Sequence, residues 1–254
     1  MNKGIVLSLY DFTGEALKPW ATAGYTCHAF DIQHTGTQPD VENTQFFAGG
    51  GSISYRHADL HDFNTHKKLF MEFSGRKVVF GMAFPVCTDM AVSGAAWFKR
   101  KAAADPLFQT KAVTYAVWCA AFFDDLGVAY FVENPVSVLA TKWRKPDYSF
   151  HPYEYGGYIA DDQAEHPRWP EYIAPRDAYK KKTCLWTGGG FAMPDKVAVD
   201  CEGYHGNGYS TAMMKLGGKS QRTKDIRSAT PRGFAVAVHA ANAIENSIKK
   251  EKVQ

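Results

Sequence analysis

Short apolar runs alternate with helical patterns along most of this chain, and this alternation limits the possible folds more than any other feature. The strand-like runs are KGIVLSLY, TCHAFDI, RHADL, KVVFGMAF and VAYFVENP, at residues 3–10, 26–32, 56–60, 77–84 and 128–135. Helical patterns between them cover residues 15–25, 63–73 and 108–127. A β-α-β succession of this kind predicts an α/β fold, a doubly wound and mostly parallel sheet with helices on both faces.

Composition narrows the class of protein. The chain has 254 residues, enough for one large α/β domain. It lacks the long uninterrupted apolar stretch that a membrane span needs, so we expect no membrane partner. The start, MNKGIVLSLYDF, has no secretory signal pattern, and the five cysteines have no disulfide-framework spacing. We therefore expect a cytoplasmic protein with reduced thiols.

The predicted strands end in chemically useful groups. The first is followed by DFTG at 11–14, and the next two end at or near Asp31 and Asp59. The fourth leads to Cys87, and the fifth contains Glu133 near its end. Because ligands of doubly wound sheets bind at the carboxyl ends of the strands, these groups are predicted to share one site.

A nucleotide-like ligand without phosphates is the cofactor class that fits this edge. A glycine after the first strand allows close approach, and an acid after the second suits a ribose diol. Neither G-x-G-x-x-G nor G-x-x-x-x-G-K-[ST] occurs, so NAD and ATP fit less well. The net charge of +3 and basic clusters such as WFKRK at 97–101 permit a polyanionic partner, although such runs are usually only solvated surface.

The order of these motifs resembles that of the DNA (cytosine-5)-methyltransferases, particularly the compact versions carried by phages. The matching pieces, in order, are DFTG, AFDIQH, ADLHDF, FPVCTDMAVSG, FVENPV and YKKKTCLW. The resemblance implies a Rossmann-like fold that uses S-adenosylmethionine. It also implies methylation of cytosine C5 in DNA, with the cytosine flipped out of the duplex or already single-stranded.

The resemblance also assigns catalytic roles. Cys87 would add to C6 of the cytosine, Glu133 would bind or protonate N3, and Asn134 would brace the loop. Lys180 and Lys182 stand where the family has two arginines, and lysine loses the planar guanidinium fork. A second departure is Val86, in the place of the usual proline before the cysteine.

The cofactor residues follow from the same resemblance. Asp31 would bind the ribose hydroxyls and Asp59 the adenine amino group. The full set assigned to S-adenosylmethionine is Asp11, Phe12, Thr13, Gly14, Asp31, Ile32, Asp59, Leu60 and Pro85. No metal is expected, and a monomer is the expected state.

Simpler interpretations exist for several of these residues. A cysteine at a strand end is usually structural, and strand-end acids often only satisfy turns. Cys27, Cys119 and Cys184 lie in apolar runs and are predicted to be core residues. The segment CEGYH at 201–205 has one cysteine and one histidine but no second pair, which disfavours a zinc site.

The predicted organisation is a catalytic core at 1–186, a short insertion at 187–226 and a C-terminal helix at 227–254 that returns to the core. The final segment also fits the family's Arg-x-x-Thr-Pro-Arg motif, but its alanine-rich spacing favours the helix, which would run to Lys250. The insertion is too short for a typical target-recognition domain. We therefore expect a relaxed or short sequence context, of the kind that shields a phage genome from restriction.

Two alternatives remain open at this point. The same chemistry could act on a cytidine nucleotide or RNA, or could transfer a larger group from a modified cofactor. A catalytically inactive homologue that binds S-adenosylmethionine or DNA is the second alternative, suggested by Val86 and the two lysines.

Overall fold

The computed structural model describes residues 3–201, 216 and 220–243. These residues divide into two compact units. The first unit runs up to Ser149 and includes Thr183–Phe191, and the second contains Phe150–Lys182 and the residues from Ala192 onward.

An eight-stranded mixed sheet organises the first unit. Its strands are β1 (Ile5–Leu9), β2 (Thr26–Asp31), β3 (Thr44–Phe46), β4 (Ser52–His57), β5 (Val78–Ala83), β6 (Ala129–Pro135), β7 (Tyr148–Phe150) and β8 (Thr183–Gly188). Their order across the sheet is β3-β4-β2-β1-β5-β6-β8-β7. Strands β4, β2, β1, β5 and β6 are parallel, whereas β3 is antiparallel to β4 and β8 is antiparallel to β6. The predicted α/β class with a mostly parallel sheet is therefore confirmed.

The helices occupy most of the predicted connections. They are α1 (Lys18–Thr22), α2 (Phe63–Phe73), α3 (Phe98–Ala104), α4 (Phe108–Asp125), α5 (Leu139–Lys142), α6 (Gln221–Ser228) and α7 (Arg232–Asn242). Helix α2 begins where the side chain of Asp62 accepts a hydrogen bond from the amide of Asn64. Its buried face, which includes Leu69 and Phe73, packs into the core. Helix α1 begins with Pro19 in its first turn and is preceded by a 3-10 turn at Glu15–Leu17.

The core of the first unit lies between the sheet and its helices. Leu7 and Leu9 of β1 are completely buried, as are Phe73 of α2 and Phe123 of α4. Gly81 of β5 lies so close to Phe123 that a Cβ would come within 2.3 Å of that ring. The predicted core positions of Cys27, Cys119 and Cys184 are confirmed, because all three are buried. All five cysteines lie in the described part of the chain, and none forms a disulfide.

One predicted strand is displaced along the chain. We expected a strand at residues 56–60, but β4 spans Ser52–His57. The parallel register with β2 explains the shift, because it pairs Thr26 with Ser52 and ends where Asp31 meets His57. Strand β3, which pairs with β4 through a glycine-containing turn, was not predicted.

In its described residues, the second unit consists largely of 3-10 turns and two helices. Its turns include Pro152–Tyr158, Asp161–Gln163 and Pro175–Asp177. Helix α7 packs on the first of these, with the rings of Phe234 and Phe150 stacked at 4.0 Å. The amide of Gly233 donates to Asp177 Oδ2 at 3.0 Å, and the guanidinium of Arg232 donates to two backbone carbonyls, those of Gln163 and Ala164.

These contacts differ from the predicted organisation. Residues 150–182, which we placed in the core at 1–186, belong to the second unit, and β8 with its continuation to Phe191 belongs to the first. The C-terminal helix, α7, belongs to the second unit, and its predicted return to the core stays a prediction. It ends at Asn242, and the predicted extension to Lys250 lies outside the described residues.

None of the helices within residues 3–201 and 220–243 combines the length and hydropathy that a membrane crossing requires. The same residues hold no group of three or more histidine, cysteine, aspartate or glutamate side chains placed to bind a metal ion. Residues 202–205 of the CEGYH segment lie outside the described part of the chain.

Candidate functional site

The carboxyl ends of the parallel strands form one hydrogen-bonded edge of the first unit. After β1, the amide of Asp11 donates to the carbonyl of Phe30 in β2 at 3.1 Å. At the end of β2, the carbonyl of Asp31 accepts from the amide of Ala58 at 3.1 Å. After β5, the amide of Phe84 donates to the carbonyl of Leu9 at 3.0 Å. The strand ends that carry the predicted site residues are thus held together by backbone hydrogen bonds.

The loop after β1 is shaped by the carboxylate of Asp11. This buried group accepts hydrogen bonds from Ser8 Oγ at 2.7 Å and from the amide of Gly14 at 2.8 Å. Burial raises the pKa of Asp11, while these two hydrogen bonds act in the opposite direction. Gly14 has a φ of +67°, and a Cβ there would lie 2.7 Å from the hydroxyl of Tyr55. Glycine is therefore required at this turn both by conformation and by space.

The end of β2 carries an acid followed by an exposed apolar side chain. Asp31 is buried, and its Oδ1 accepts from the amide of Gln33 at 2.9 Å. Ile32 is 58% exposed, although it directly follows a buried strand. The ring of Phe12 stacks on His34 with a centroid separation of 5.5 Å. Asp31, Ile32 and Phe12 therefore belong to neighbouring segments of the edge, as the sequence predicted.

The segment after β4 forms hydrogen bonds through the Asp59 side chain and the Leu60 backbone. Asp59 is half-buried, and its Oδ1 accepts from the amide of His61 at 2.9 Å. Leu60 is buried in the core, and its carbonyl accepts from the hydroxyl of Tyr10 at 3.0 Å. Tyr10 has a φ of +58°, a conformation that non-glycine residues rarely adopt and that is concentrated at functional sites.

The cysteine loop, defined as residues 84–91, is joined directly to the end of β6. Asn134 is buried, and its Nδ2 donates to the carbonyl of Pro85 at 2.9 Å. The carbonyl of half-buried Cys87 accepts from the amides of Met90 and Ala91 at 2.9 and 2.8 Å, which closes a tight turn. That hydrogen bond joins the side chain of Asn134 to the cysteine loop, and its role in bracing the loop during a reaction stays a prediction.

A second connection continues beyond Asn134. The amide of Val92 donates to the carbonyl of Val136, and the amide of Val138 donates to the carbonyl of Met90, both at 3.0 Å. Glu133 is half-buried in β6, where it pairs with Leu185 of β8. Cys87 and Glu133 therefore belong to two segments that hydrogen bonds hold side by side.

The segment that follows the cysteine loop is exposed. Neither the turn Val92–Trp97 nor α3 has a buried residue, and Trp97 is 59% exposed. Lys99 and Arg100 are exposed on α3, whereas Lys101 donates to Asp89 Oδ1 and to the carbonyl of Thr88. The basic WFKRK cluster therefore lies next to the cysteine loop in space as well as in sequence.

The two lysines of YKKKTCLW are exposed residues of the second unit. Lys180 and Lys182 precede β8, which begins at Thr183. Both lie near His151, whose pKa is lowered first by burial, while Glu154 raises it and the two lysines lower it further. Their role in positioning the base or the catalytic acid stays a prediction.

A cleft of about 360 Å³ opens at the residues that follow β2. It is lined by Gln33, His34, Thr35, Glu42, Asn43, Thr44, Gln45 and Tyr55. His34 also stacks on Phe12, so the cleft adjoins the loop after β1.

Sequence reasoning missed three residues of this edge. They are Tyr10, with its strained backbone, His34, whose Nε2 lies 3.1 Å from the carbonyl of Asp11, and Glu15, which is 2% exposed. The signal for Glu15 was its place directly after the predicted glycine turn. Tyr10 and His34 had no signal beyond their closeness to DFTG and AFDI.

Comparison with known proteins adds no family assignment, since no family model matches the chain and no curated protein matches it significantly.

Proposed function

We propose that this protein is an S-adenosylmethionine-dependent methyltransferase that methylates C5 of cytosine in DNA through a covalent adduct with Cys87. The observation that carries the proposal is the hydrogen bond from Asn134 Nδ2 to the carbonyl of Pro85 at 2.9 Å. It ties the segment that holds Glu133 to the loop that holds Cys87. A nucleophile and an acid on adjacent strand ends are what addition to a pyrimidine ring requires.

The strand order supports a Rossmann-like fold for this chemistry. When only the parallel strands are numbered along the chain, β4-β2-β1-β5-β6 reads 3-2-1-4-5. This is the order of the doubly wound dinucleotide-binding sheets, in which ligands bind where the strand order reverses. The reversal lies between β1 and β5, and the DFTG loop and the cysteine loop follow those two strands.

The residues on the β1, β2 and β4 side fit a cationic nucleoside cofactor. A buried acid at the end of β2 suits a ribose diol, and the exposed Ile32 offers an apolar surface for a base. Glu15 Oε2 is buried and has no hydrogen-bond partner in the structure, as expected for a group that meets a cationic ligand. When bound, S-adenosylmethionine supplies the methyl group.

The protein's own residues carry the remaining steps. The thiolate of Cys87 bonds to C6 of the cytosine, and Glu133 holds or delivers a proton at N3, so that the electron pair moves toward C5. After methyl transfer, a base removes the C5 proton, the C5–C6 double bond re-forms and Cys87 leaves as a thiolate. Asn134 keeps the cysteine loop in place, and a preset geometry of this kind lowers the entropic cost of the addition.

DNA as the substrate is supported by the exposed segment beside the cysteine loop. Trp97 offers a surface on which a base can stack, and Lys99 and Arg100 offer positive charge to phosphates. A cytosine must leave the stack to meet Cys87, so the DNA is flipped at the target or single-stranded. As part of this proposal, the protein acts as a monomer. It methylates phage DNA in the cytoplasm of the bacterial host.

We expect a relaxed sequence context around the target cytosine because the insertion at 187–226 is short. The second unit also contains residues 150–182, so more polypeptide is available outside the sheet than we assumed. A methylation map of DNA treated with the purified protein decides this point, and a long defined recognition sequence would contradict the relaxed context.

The decisive experiment for the proposed reaction is trapping with 5-fluorocytosine. Duplex DNA that contains this base is incubated with the protein and S-adenosylmethionine, and adducts are counted on a denaturing gel. The fluorine cannot leave as a proton does, so the wild type is expected to form a stable adduct. Cys87→Ser is expected to form none.

The matched control is Cys201→Ser, which changes a similarly half-exposed cysteine in the second unit. It is expected to form the adduct like the wild type. An equal yield from Cys87→Ser, or no adduct from a wild type that still binds S-adenosylmethionine, would overturn the proposal. In the second case, parallel assays with a cytidine nucleotide and with RNA test the same chemistry on those substrates.

A further inference from the structure

Glu15 is a buried carboxylate with one oxygen that lacks a partner. It lies in the turn directly after Gly14, and its side chain is 1% exposed. Oε1 forms an ion pair with Lys18 Nζ at 2.7 Å. Oε2 is buried and has no hydrogen-bond partner among the residues that the structure describes. A buried carboxylate oxygen without a donor is costly, so its presence in the turn after β1 needs an explanation.

The surroundings of Glu15 increase this cost. The carboxylate of Asp11 lies close enough that Glu15 is one of the charges raising its pKa, after burial itself. Asp11 is satisfied by Ser8 and Gly14, which are both uncharged donors. The turn therefore holds two buried acidic groups, Asp11 and Glu15, and Lys18 forms its ion pair with Glu15. A cationic group from a ligand would be favoured beside these two acids.

The two oxygens of Glu15 also indicate which kind of cation fits. An unpartnered carboxylate oxygen needs a hydrogen-bond donor, and an ammonium group offers three. A sulfonium centre is cationic but carries no N–H or O–H. The partly exposed Lys18 stands beside this position and offers a positive charge for a carboxylate. A carboxylate and a lysine side by side match the two ends of a free amino acid.

We propose that Glu15 Oε2 binds the α-ammonium group at the amino-acid end of S-adenosylmethionine and that Lys18 interacts with its carboxylate. This inference rests on the proposed function, since it assumes that cofactor. It adds a binding residue that the motif resemblance does not assign, and it orients the cofactor with its amino-acid end at the turn after β1.

The test compares two ligands that differ only at that end. Affinities are measured by calorimetry for S-adenosylhomocysteine and for 5′-methylthioadenosine, which lacks the amino-acid group. The variants are Glu15→Gln and the control Glu165→Gln, which changes an exposed glutamate of the second unit. Glu15→Gln is expected to weaken S-adenosylhomocysteine about tenfold to a hundredfold, the range for a lost charge-assisted hydrogen bond, with 5′-methylthioadenosine unchanged. The control is expected to bind both like the wild type.

Two outcomes would overturn the inference. They are an unchanged affinity of Glu15→Gln for S-adenosylhomocysteine and an equal loss of affinity for both ligands. If Glu15→Gln does not fold, Lys18→Met replaces it, since Lys18 is partly exposed. That variant is expected to weaken S-adenosylhomocysteine severalfold, and an unchanged affinity would overturn the inference.

Failure of the proposed function gives a different result. A wild type that binds neither ligand would remove S-adenosylmethionine as the cofactor and both proposals with it. A wild type that binds both ligands, with Glu15→Gln unchanged, would remove only the role of Glu15.

Discussion

The two sides of the candidate site are built differently. The acid side, defined as the segments after β1, β2 and β4, holds most of its polar groups in internal hydrogen bonds, as the carboxylates of Asp11 and Asp31 illustrate. The cysteine side, defined as the segments after β5 and β6, is anchored by Asn134 but continues into residues 92–104, none of which is buried.

This difference indicates that the two sides meet their ligands in different ways. An edge whose polar groups are already hydrogen-bonded and closely packed is preorganised. It binds a small molecule with little loss of conformational entropy. The segment with Trp97 and the basic residues is exposed, and such a surface loses its exposure when a large partner covers it. Under the proposed function, the acid side would bind the cofactor and the cysteine side would bind the nucleic acid.

Substitution at Gly14 is expected to damage the acid side most. In Gly14→Ala, a left-handed backbone is combined with an overlap between the new Cβ and the Tyr55 ring, and we expect a loss of about 3 kcal/mol in the free energy of unfolding. Gly50→Ala is the matched control, because Gly50 has a φ of +81° and no atom within 4 Å of the added Cβ. That control is expected to lose about 1 kcal/mol, which is the backbone cost alone. Urea denaturation measures both, and equal losses would contradict the proposed close packing at Gly14.

Removing the side-chain amide of Asn134 is expected to make the cysteine loop more mobile. Asn134→Ala deletes the donor to the carbonyl of Pro85, so Cys87 is no longer held in place and the rate of adduct formation with 5-fluorocytosine DNA is expected to fall about a hundredfold. The affinity for S-adenosylhomocysteine is expected to stay unchanged, because the acid side is intact. Asn64→Ala, at the exposed start of α2, serves as the control and is expected to keep the wild-type rate. A parallel loss of cofactor affinity in Asn134→Ala would show that the two sides are not independent.

A lower pH is expected to reduce the free energy of unfolding through His28 in β2, the strand that leads to Asp31 on the acid side. Burial, together with the Arg56 guanidinium, lowers the pKa of His28 in β2 from 6.5 to about 4. The unfolded chain therefore takes up a proton first as the pH falls, and stability is lost from about pH 6.5 downward. Between pH 7.5 and pH 5 we expect His28 to account for a loss of about 2 kcal/mol in the free energy of unfolding.

The control for this effect is His28→Phe. Both ring nitrogens of His28 are buried and have no hydrogen-bond partner within the described part of the chain, so phenylalanine gives up none of the described hydrogen bonds. Chemical denaturation at several pH values is expected to show a pH dependence that is smaller by about 2 kcal/mol in the variant. The same pH dependence in both proteins would mean that His28 is not buried in its neutral form.

Local pattern was a reliable guide wherever one helix or strand dominates a segment. The predicted helix at 63–73 coincides with α2, and residues 128–135 contain β6, because periodic burial is visible within a single window. Residues 150–182, which we grouped with residues 1–149, belong in the structure to the unit that contains the residues from Ala192 onward. They form short 3-10 turns without a clear period, and their membership depends on contacts with α7, which follows about fifty residues later in the chain.

The sequence by itself determined the α/β class and the strand-end positions of Asp31 and Cys87, because periodicity and turn residues act over a few neighbours. It also nominated Asn134, through motif order. Only the tertiary structure decided which atoms meet, such as Asn134 Nδ2 and the carbonyl of Pro85, 49 residues apart. It also decided that Glu15 is buried with one oxygen unpartnered. Burial and hydrogen-bond satisfaction depend on the packing of distant segments, which no local pattern contains.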